Sequence, residues 1–510
     1  MRMVIFGVDG LSFRILRPLI ERGDLPNFAR LQREGVTAEF ISTAFPITPP
    51  GWTSMVTGLK PAKHGVFDFW EFDALSPHRS AKPVTHRKAG KAIWNILSEY
   101  GKRVVVMNVP VTYPPETVNG IMVSGLMTPG ISSPYTYPRL FKEEIQKVVP
   151  DYSIDLPEKN SLTHYFDAVL NMTEKRIQLQ EHLLSEHEWD FAFLCYVGAD
   201  RLQHHDWDYI AEMSHEATKY YRLIDDALGR VLQRLTPEDL LFVVSDHGFV
   251  GAKQWFYINE YLHRQKLLQY KPTFNRNPAR SIGIAREIAQ KTNLIGVARK
   301  ARETFDYFFG KETHLSRITD LHHPTFDALD LDNSQAYVLT STSFSGGGTD
   351  ILLSPETSSA EIEELRQLIN AEHHPVTNEP LTRAIYTTEA FGVGPFRPPE
   401  EHLVLIPSPG TTFHLGIERS HIWETRKRST GVHEKEGIFY AWGSSIVRGA
   451  QVDPIQIYDL VPTALHALNI TVDEIFDGHI AQEIFVQEPE IKSVGEAEDS
   501  LVSRKLRKLK

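Results

Sequence analysis

Two short apolar runs that each lead into an acidic residue stand out in the hydrophobic pattern of the chain. The run from Met3 to Val8 leads directly into Asp9. The run from Leu240 to Val244 leads, one residue later, into Asp246 and His247. Runs of this length are typical of strands buried inside an α/β sheet. Because such sheets bind ligands at the carboxyl ends of their strands, the two runs predict a site containing these side chains.

The pattern elsewhere alternates between helical and strand-like segments. Apolar residues at helical spacing alternate with continuous apolar segments, and this order predicts a mostly parallel sheet. The predicted helices cover 13–35 (with a turn), 91–100, 214–235, 361–371 and 455–468, and the strand-like segments lie within 103–109, 190–197, 336–353 and 383–406.

Two segments interrupt this alternation. Residues 140–185 are polar and helix-rich, and residues 257–332 are irregular and basic in places. We interpret both as insertions, the first over an edge of the sheet and the second as a helical cap or a substrate-side lobe. The predicted organisation is one catalytic domain over residues 1–490 that carries these insertions, followed by a charged tail over residues 491–510.

Composition narrows the class of protein. The chain has 510 residues, a net charge of -11 and 41% hydrophobic residues, which is enough for a large core. The acidic balance argues against binding of a nucleic-acid polymer. Cys195 has no partner cysteine, which excludes a disulfide-stapled scaffold. Because no signal peptide and no membrane-spanning apolar run is evident, we expect a cytoplasmic protein, with its oligomeric state left open.

A threonine precedes two prolines at the start of another predicted helix. Thr48 is a good N-cap, Pro49 suits the first helical position, and Gly58 is a natural end. The hydroxyl group of Thr48 would then lie at a helix N-terminus, where an anion is favoured. The alternative is an ordinary turn that starts a helix and has no chemical role.

Three further residues are candidate metal ligands. Asp200 and His204 follow a predicted strand and are four residues apart, so one helical turn places them on the same face. Carboxylate and imidazole groups at that spacing suit a metal ion, and the alternative is a surface salt bridge. His433 precedes a short predicted strand and offers one more imidazole.

Together these segments resemble the alkaline phosphatase superfamily, and within it the type I phosphodiesterase/nucleotide pyrophosphatase group and a related phosphohydrolase/phosphomutase branch. The resemblance covers the core of the chain but not the two insertions. It implies an alkaline-phosphatase-like α/β fold with a mostly parallel central sheet, helices on both faces and helical cap insertions. The matching blocks are IFGVDG at 5–10, TPPGWTSMVTG at 48–58 with KHG at 63–65, GADRLQHH at 198–205, VVSDHGF at 243–249 and GVHEKEGIFYAWG at 431–443.

The resemblance also implies a site with two divalent metal ions, zinc first and manganese as an alternative. In the family, one ion takes the ligands that map here to Asp200, His204 and His433. The other ion takes those that map to Asp9, Thr48, Asp246 and His247. Thr48 is the implied nucleophile, which forms a phospho-threonine intermediate with a small-molecule phosphate ester.

The implied activity is hydrolysis of phosphate esters, namely phosphodiesters or pyrophosphate-linked nucleotides. A phosphomutase or phosphomonoesterase of the same superfamily is an alternative, and a non-catalytic binding protein is another. One departure concerns specificity, since Phe69 stands where nucleotide pyrophosphatases have an asparagine that helps to bind the phosphoryl oxygen. Phe69, Trp70 and Trp52 are therefore candidates either for an apolar leaving-group pocket or for the core.

Overall fold

The strand Met3–Val8 lies in the middle of the central sheet. In the computed structural model, which describes residues 1–72, 81–156, 164–271, 328–339, 347–397, 402–417 and 419–486, all six of its residues are buried. It pairs in parallel with Leu240–Val244 on one side and with Phe191–Tyr196 on the other. The apolar runs are therefore buried parallel strands, as predicted.

The central sheet is mixed but mostly parallel, which confirms the predicted fold class. Three of its strand pairs are antiparallel, and two of these involve Glu436–Trp442. In spatial order the strands of the described residues are Ala450–Gln451, Val36–Ile41, Glu436–Trp442, Leu240–Val244, Met3–Val8, Phe191–Tyr196, Val104–Met107, Gly120–Val123 and Thr136–Tyr137, and Ile455–Gln456 also pairs with Val36–Ile41.

Helices connect and cover these strands, and their apolar faces join one main core with the sheet. The α-helices in the described part of the chain are Phe13–Glu21, Pro26–Glu34, Thr48–Thr57, Pro61–His64, Ile93–Glu99, Phe141–Val148, Tyr165–Glu186, Gly198–His205, Trp207–Ala211, Lys219–Arg234, Ile258–Arg264, Ser359–Asn370 and Leu460–Ala467. None of the helices among these described residues is long and apolar enough to cross a bilayer.

Three predicted helices differ from those in the structure. The helix predicted over 214–235 begins only at Lys219, and the other two are divided. The segment 13–35 forms two helices, because the chain turns at Gly23, whose φ of +81° favours glycine. The segment 455–468 begins as the short strand Ile455–Gln456 and becomes α-helical only at Leu460. In both of these divided segments the apolar spacing agrees with the prediction, but a local backbone requirement divides the element.

A second lobe follows the central strands along the chain and has a core of its own. Its antiparallel sheet contains Ala336–Tyr337, Thr349–Leu353, His402–Pro407 and Thr382–Tyr386 in that order. A further three-stranded sheet contains Thr411–His414, Gly248–Tyr257 and Trp423–Glu434. The short pairs are Trp70–Phe72 with Ala81–Pro83 and Gln269–Tyr270 with Leu329–Asp330.

The two predicted insertions are described to different extents. In the first, the helix Tyr165–Glu186 buries Val169, Leu179 and Leu183 in the main core, so it packs on the sheet. Most of the second insertion and the tail lie outside the described residues. The proposed domain limits therefore stay predictions.

Candidate active site

The carboxyl ends of the two central strands are joined by hydrogen bonds. The backbone N–H of Gly10 donates to Asp246 Oδ1 at 3.3 Å. The backbone N–H of Leu11 donates to Ser245 Oγ at 2.8 Å, and that hydroxyl donates to the carbonyl oxygen of His247 at 2.7 Å. These contacts hold the segment that carries Asp9 against the segment that carries Asp246 and His247. Both segments lie at the carboxyl ends of their parallel strands.

Asp9, Asp246 and His247 form one buried cluster. His247 Nε2 lies 3.4 Å from Asp9 Oδ1 and 3.3 Å from Asp246 Oδ2. Both of these oxygens are buried and have no hydrogen-bond partner among the described residues. A buried carboxylate oxygen without a donor is costly, and a cation bound among these atoms would remove that cost. The arrangement therefore fits a metal ion.

Thr48 faces this cluster. Its Oγ1 lies 3.4 Å from His247 Nε2, and the side chain is buried. Thr48 was the predicted N-cap, but it is the first residue of the helix. The N-cap in the structure is Ile47, whose backbone is extended. Pro49 and Pro50 have no N–H, and the N–H of Gly51 donates to Ile47. The helix N-terminus thus offers an anion far fewer donors than the sequence suggested, and the chemistry rests on the hydroxyl group.

Asp200, His204 and His433 form a second cluster beside the first. The helix Gly198–His205 places Asp200 Oδ1 3.3 Å from His204 Nε2, as its i,i+4 spacing predicted. His433 Nε2 lies 3.2 Å from the same oxygen and 2.8 Å from His204 Nε2. His433 lies near the end of the long strand Trp423–Glu434, just before the strand Glu436–Trp442, and it pairs with Phe249.

The orientation of the imidazoles indicates what this second cluster binds. Nδ1 of His204 faces the carbonyl oxygen of Gly431 at 3.1 Å, and Nδ1 of His433 faces that of Pro46 at 2.8 Å. When both rings are neutral, this arrangement places the proton on each Nδ1 and leaves a lone pair on each Nε2. Two lone pairs and a carboxylate oxygen then converge, and a bound cation would stabilise that arrangement. Orientation of ligand imidazoles by backbone carbonyls is usual at metal sites.

The two clusters are contiguous, since the rings of His247 and His433 stack with centroids 3.6 Å apart. Phe249 packs against both rings and against His204. All seven predicted site residues therefore meet at one place in the structure. The residues of this combined site are Asp9, Thr48, Asp200, His204, Asp246, His247 and His433.

Without a bound cation, the buried site disfavours three ionised carboxylates, those of Asp9, Asp200 and Asp246. Burial, and then the charge of Asp200, raises the pKa of Asp9 well above its usual range. Burial, and then Asp9, does the same to the pKa of Asp246. Burial opposes ionisation of Asp200 too, but His204 and His433 hold its pKa well below the usual range. Burial also lowers the pKa of His247, which keeps the ring neutral and able to act as a ligand.

Several supporting residues were missed from the sequence. The indole N–H of Trp52 donates to Asp9 Oδ2 at 3.0 Å and leaves Oδ1 for a ligand. The side-chain amide of Gln203 donates to the carbonyl oxygen of Gly10 at 2.7 Å. Trp52 and Gln203 both lie inside the motif blocks, but periodicity carries no signal for a contact between distant segments. Ser245 lies between the strand Leu240–Val244 and the pair Asp246–His247. Among these supporting residues, it alone has a sequence position that could have indicated its role in joining the two strand ends.

We expect Trp52→Phe to weaken metal binding without unfolding the protein. Phenylalanine keeps most of the apolar packing against Phe193 but removes the hydrogen bond that orients Asp9. Loss of such a supporting bond typically lowers metal affinity by about 10- to 100-fold. Titration of the metal-free protein with zinc would measure the change, and Trp94→Phe, which also contacts Phe193, is the matched control. Equal affinity in wild type and Trp52→Phe would contradict the assigned role.

Gly431 controls the distance between the Asp200 helix and the strand that carries His433. A Cβ atom at this position would lie 2.1 Å from the carbonyl oxygen of Gln203, which is backbone and cannot turn away. We therefore expect Gly431→Ala to push His204 away from His433 and to lower both zinc affinity and thermal stability. Thr430→Ala, one residue earlier, is the control. Unchanged zinc affinity in Gly431→Ala would show that the contact does not set the ligand geometry.

The aromatic residues considered for a leaving-group pocket take different places. Trp52 is fully buried beneath Asp9, and Trp70 is 4% exposed. Phe69 is half-buried. Its neighbour Asp68 is a buried carboxyl group whose pKa is raised to about 7 by burial, and one of its oxygens has no partner among the described residues. Trp52 therefore supports the ligand cluster, and Phe69 alone among the three keeps a partly exposed surface.

Neighbouring polar residues of the Asp200 motif have structural roles. His205 stacks on Tyr165, with ring centroids 4.1 Å apart. Asp206 accepts a hydrogen bond from the N–H of Tyr209, and Nη2 of Arg428 donates to both of its carboxylate oxygens. These contacts hold both side chains outside the two clusters of the candidate active site.

Comparison with known proteins agrees with this geometry. A model of the type I phosphodiesterase/nucleotide pyrophosphatase family matches residues 3–314, which is more than half of the chain. The chain belongs to the type I phosphodiesterase/nucleotide pyrophosphatase family. It is accordingly a phosphoric ester hydrolase of a metal-dependent family, and the resemblance found in the sequence is confirmed. No curated protein sequence matched the chain.

Solved structures share the fold. Human ectonucleotide pyrophosphatase/phosphodiesterase 5 superposes with a TM-score of 0.53 at 14% identity, covering 96% of this chain and 100% of that one. Murine ectonucleotide pyrophosphatase/phosphodiesterase 5, as an inactive threonine-to-alanine variant in complex with AMP, gives a TM-score of 0.51 at 13% identity, with coverages of 94% and 97%. At this identity the likeness establishes the alkaline-phosphatase-like fold.

Proposed function

We propose that this protein hydrolyses phosphodiesters or pyrophosphate-linked nucleotides through a covalent intermediate on Thr48. The observation that carries the proposal is the position of the Thr48 hydroxyl beside the buried cluster of Asp9, Asp246 and His247. A hydroxyl in that position is placed to act as a nucleophile once its proton is removed.

Two divalent ions, zinc first and manganese as an alternative, complete the proposed site. Asp9, Thr48, Asp246 and His247 would hold one ion, and Asp200, His204 and His433 the other. Their orphaned oxygens and converging lone pairs support this assignment. When bound, such ions lower the pKa of coordinated hydroxyl and water groups and neutralise charge that develops on the phosphoryl oxygens.

The proposed reaction has two displacements. Thr48 Oγ1 forms a bond to phosphorus while the bond from phosphorus to the leaving oxygen breaks, and that oxygen departs with its electron pair. A water molecule then attacks the phospho-threonine, breaks the bond to Thr48 and restores the hydroxyl. The backbone carbonyls of Pro46 and Gly431 keep His433 and His204 in one orientation throughout both steps.

Support for a nucleotide substrate comes from a relative. The murine protein was obtained with AMP in a variant in which alanine replaces a threonine and which is inactive. One difference argues against the same nucleotide specificity in this chain. Phe69 replaces a family asparagine and cannot donate a hydrogen bond to a phosphoryl oxygen. We infer that the bond type resembles that of the relatives, whereas the contacts that bind the phosphoryl oxygen differ.

A turnover screen tests the proposal. The purified protein would be supplied with zinc or manganese and with phosphomonoesters, phosphodiesters and dinucleotides that contain a pyrophosphate. We expect release of the alcohol or nucleoside monophosphate from diester or pyrophosphate substrates. Preferred cleavage of monoesters would indicate a phosphomonoesterase, and an isomerised product without free alcohol a phosphomutase. Tight metal binding without turnover of any substrate would revive the binding-protein alternative. The cytoplasmic location expected from the sequence stays a prediction.

A further inference from the structure

A second group of imidazole and carboxylate side chains lies far from the candidate active site. His182 Nε2 is 2.6 Å from Glu144 Oε1, and His187 Nε2 is 2.8 Å from the same oxygen. The two rings meet edge to face, with centroids 5.4 Å apart and an angle of 81° between them. Three donor atoms from two parts of the chain thus lie close together.

Helix geometry explains how the group forms. Glu144 lies on the helix Phe141–Val148, and His182 lies in the last turn and a half of Tyr165–Glu186. His187 follows that helix in an extended conformation, so its ring turns back towards Glu144 instead of continuing around the helix. The ring of Phe141 packs against His187 at 5.4 Å and supports its orientation.

The group lies at the edge of the sheet opposite the candidate active site. His187 precedes the strand Phe191–Tyr196, whereas Asp200 follows it. A strand of six residues spans about 17–20 Å, so the two places cannot share an ion. The cluster is therefore independent of the proposed two-ion site.

We propose that His182, His187 and Glu144 bind a third divalent ion, for which zinc is the best match. Two imidazole nitrogens and one carboxylate oxygen form a donor set that zinc commonly takes, with water in the remaining position. Ligands around tetrahedral zinc are about 3.4 Å apart, given metal–ligand distances near 2.1 Å. The two pairs that include Glu144 would therefore open by less than about 1 Å.

The exposure of the three side chains permits this movement and the entry of an ion. The side chains of His182, His187 and Glu144 are 16%, 25% and 40% exposed. A bound ion would join the helix Phe141–Val148 to the end of Tyr165–Glu186, immediately before a strand of the central sheet. Its role would be structural, since no part of the proposed reaction reaches this edge.

Zinc content tests the proposal in the full-length protein. Wild type and the double variant His182→Gln/His187→Gln would be stripped with a chelator, reloaded with excess zinc, desalted and analysed for metal per chain. We expect the double variant to hold one equivalent less than wild type and to keep its hydrolytic activity within about twofold. His215→Gln, which removes an exposed histidine paired with a single glutamate, should keep the wild-type content.

The difference between variants is informative even if the proposed active site binds fewer ions than expected, because that site is unchanged in all three proteins. Equal zinc content in wild type and double variant would overturn the proposal. The three side chains would then serve only to join the two helices by hydrogen bonds. Should the double variant fail to fold, wild-type crystals grown with zinc would decide. Anomalous scattering at the zinc edge would give a peak between the three side chains, and no peak there would refute the site.

Discussion

Replacing Thr48 with alanine should lower turnover by about 10³-fold or more while the folded structure and the metal content stay intact. The hydroxyl that faces His247 at 3.4 Å disappears, so no covalent intermediate can form on this residue. Asp9, Asp246 and His247 still present their donor atoms, which is why the metal should remain. Steady-state rates, zinc content and thermal unfolding of the same preparation would check the three parts of this prediction.

The same helix supplies a matched control. Thr53 is also buried, but its hydroxyl donates to the carbonyl oxygen of Pro49 at 2.7 Å and takes no part in the cluster. Thr53→Ala should therefore keep most of the activity, and Thr48→Ser should keep a measurable part because it retains a hydroxyl group. Wild-type rates in Thr48→Ala would disprove the assignment of the nucleophile.

The fold could be predicted because each central strand has a simple local signal. Met3–Val8, Leu240–Val244 and Phe191–Tyr196 are continuous apolar runs, and they became buried parallel strands in neighbouring positions. Their carboxyl ends necessarily lie along one edge, so Asp9, Asp200 and Asp246 were expected together. The breaks at Gly23 and Leu460 could not be foreseen in the same way, because they depend on local backbone conformation.

His433 shows where reasoning from one segment stops. Taken alone, a histidine before a short strand has no recognisable function, and only the family resemblance paired it with Asp200 and His204. In the structure its partners come from residues more than 200 positions away in the chain. Trp52 is a similar case, since its indole reaches Asp9 through tertiary packing against Gly7, for which the sequence has no periodic signal.

Replacing Asp246 with asparagine should have opposite effects on the metal-free protein and on the enzyme. Without metal, the wild type must bury three aspartates close together, and the pKa of Asp246 is raised well above its usual range by burial and by Asp9. Asparagine has the same shape, can still accept the hydrogen bond from Gly10, and carries no charge. The metal-free variant should therefore be more stable than metal-free wild type, by about 1–3 kcal/mol at neutral pH.

The pH dependence of that difference follows from the direction of the pKa shift. Between about pH 4, where an unfolded aspartate titrates, and the raised pKa of the folded state, folded Asp246 holds a proton that the unfolded chain has lost. Wild-type stability thus falls as pH rises through this window, whereas the variant lacks this contribution. The advantage of the variant should be near zero at pH 4 and grow towards pH 7, as urea unfolding in the presence of a chelator would show.

With zinc the order should reverse. A bound metal ion raises the free energy of unfolding by an amount that grows with the logarithm of the ratio of zinc concentration to the dissociation constant. We expect this stabilisation to require the Asp246 carboxylate. Zinc should raise the melting temperature of wild type but raise that of Asp246→Asn much less, and turnover in the variant should fall by at least about 100-fold. Asp225→Asn, a buried aspartate that caps Asn27 and Phe28 away from the site, should lose stability without losing the response to zinc. If Asp246→Asn were destabilised without metal and still responded fully to zinc, Asp246 would be an ordinary structural carboxylate. A metal ligand instead predicts that the variant is the more stable protein without zinc and the less stable one with zinc.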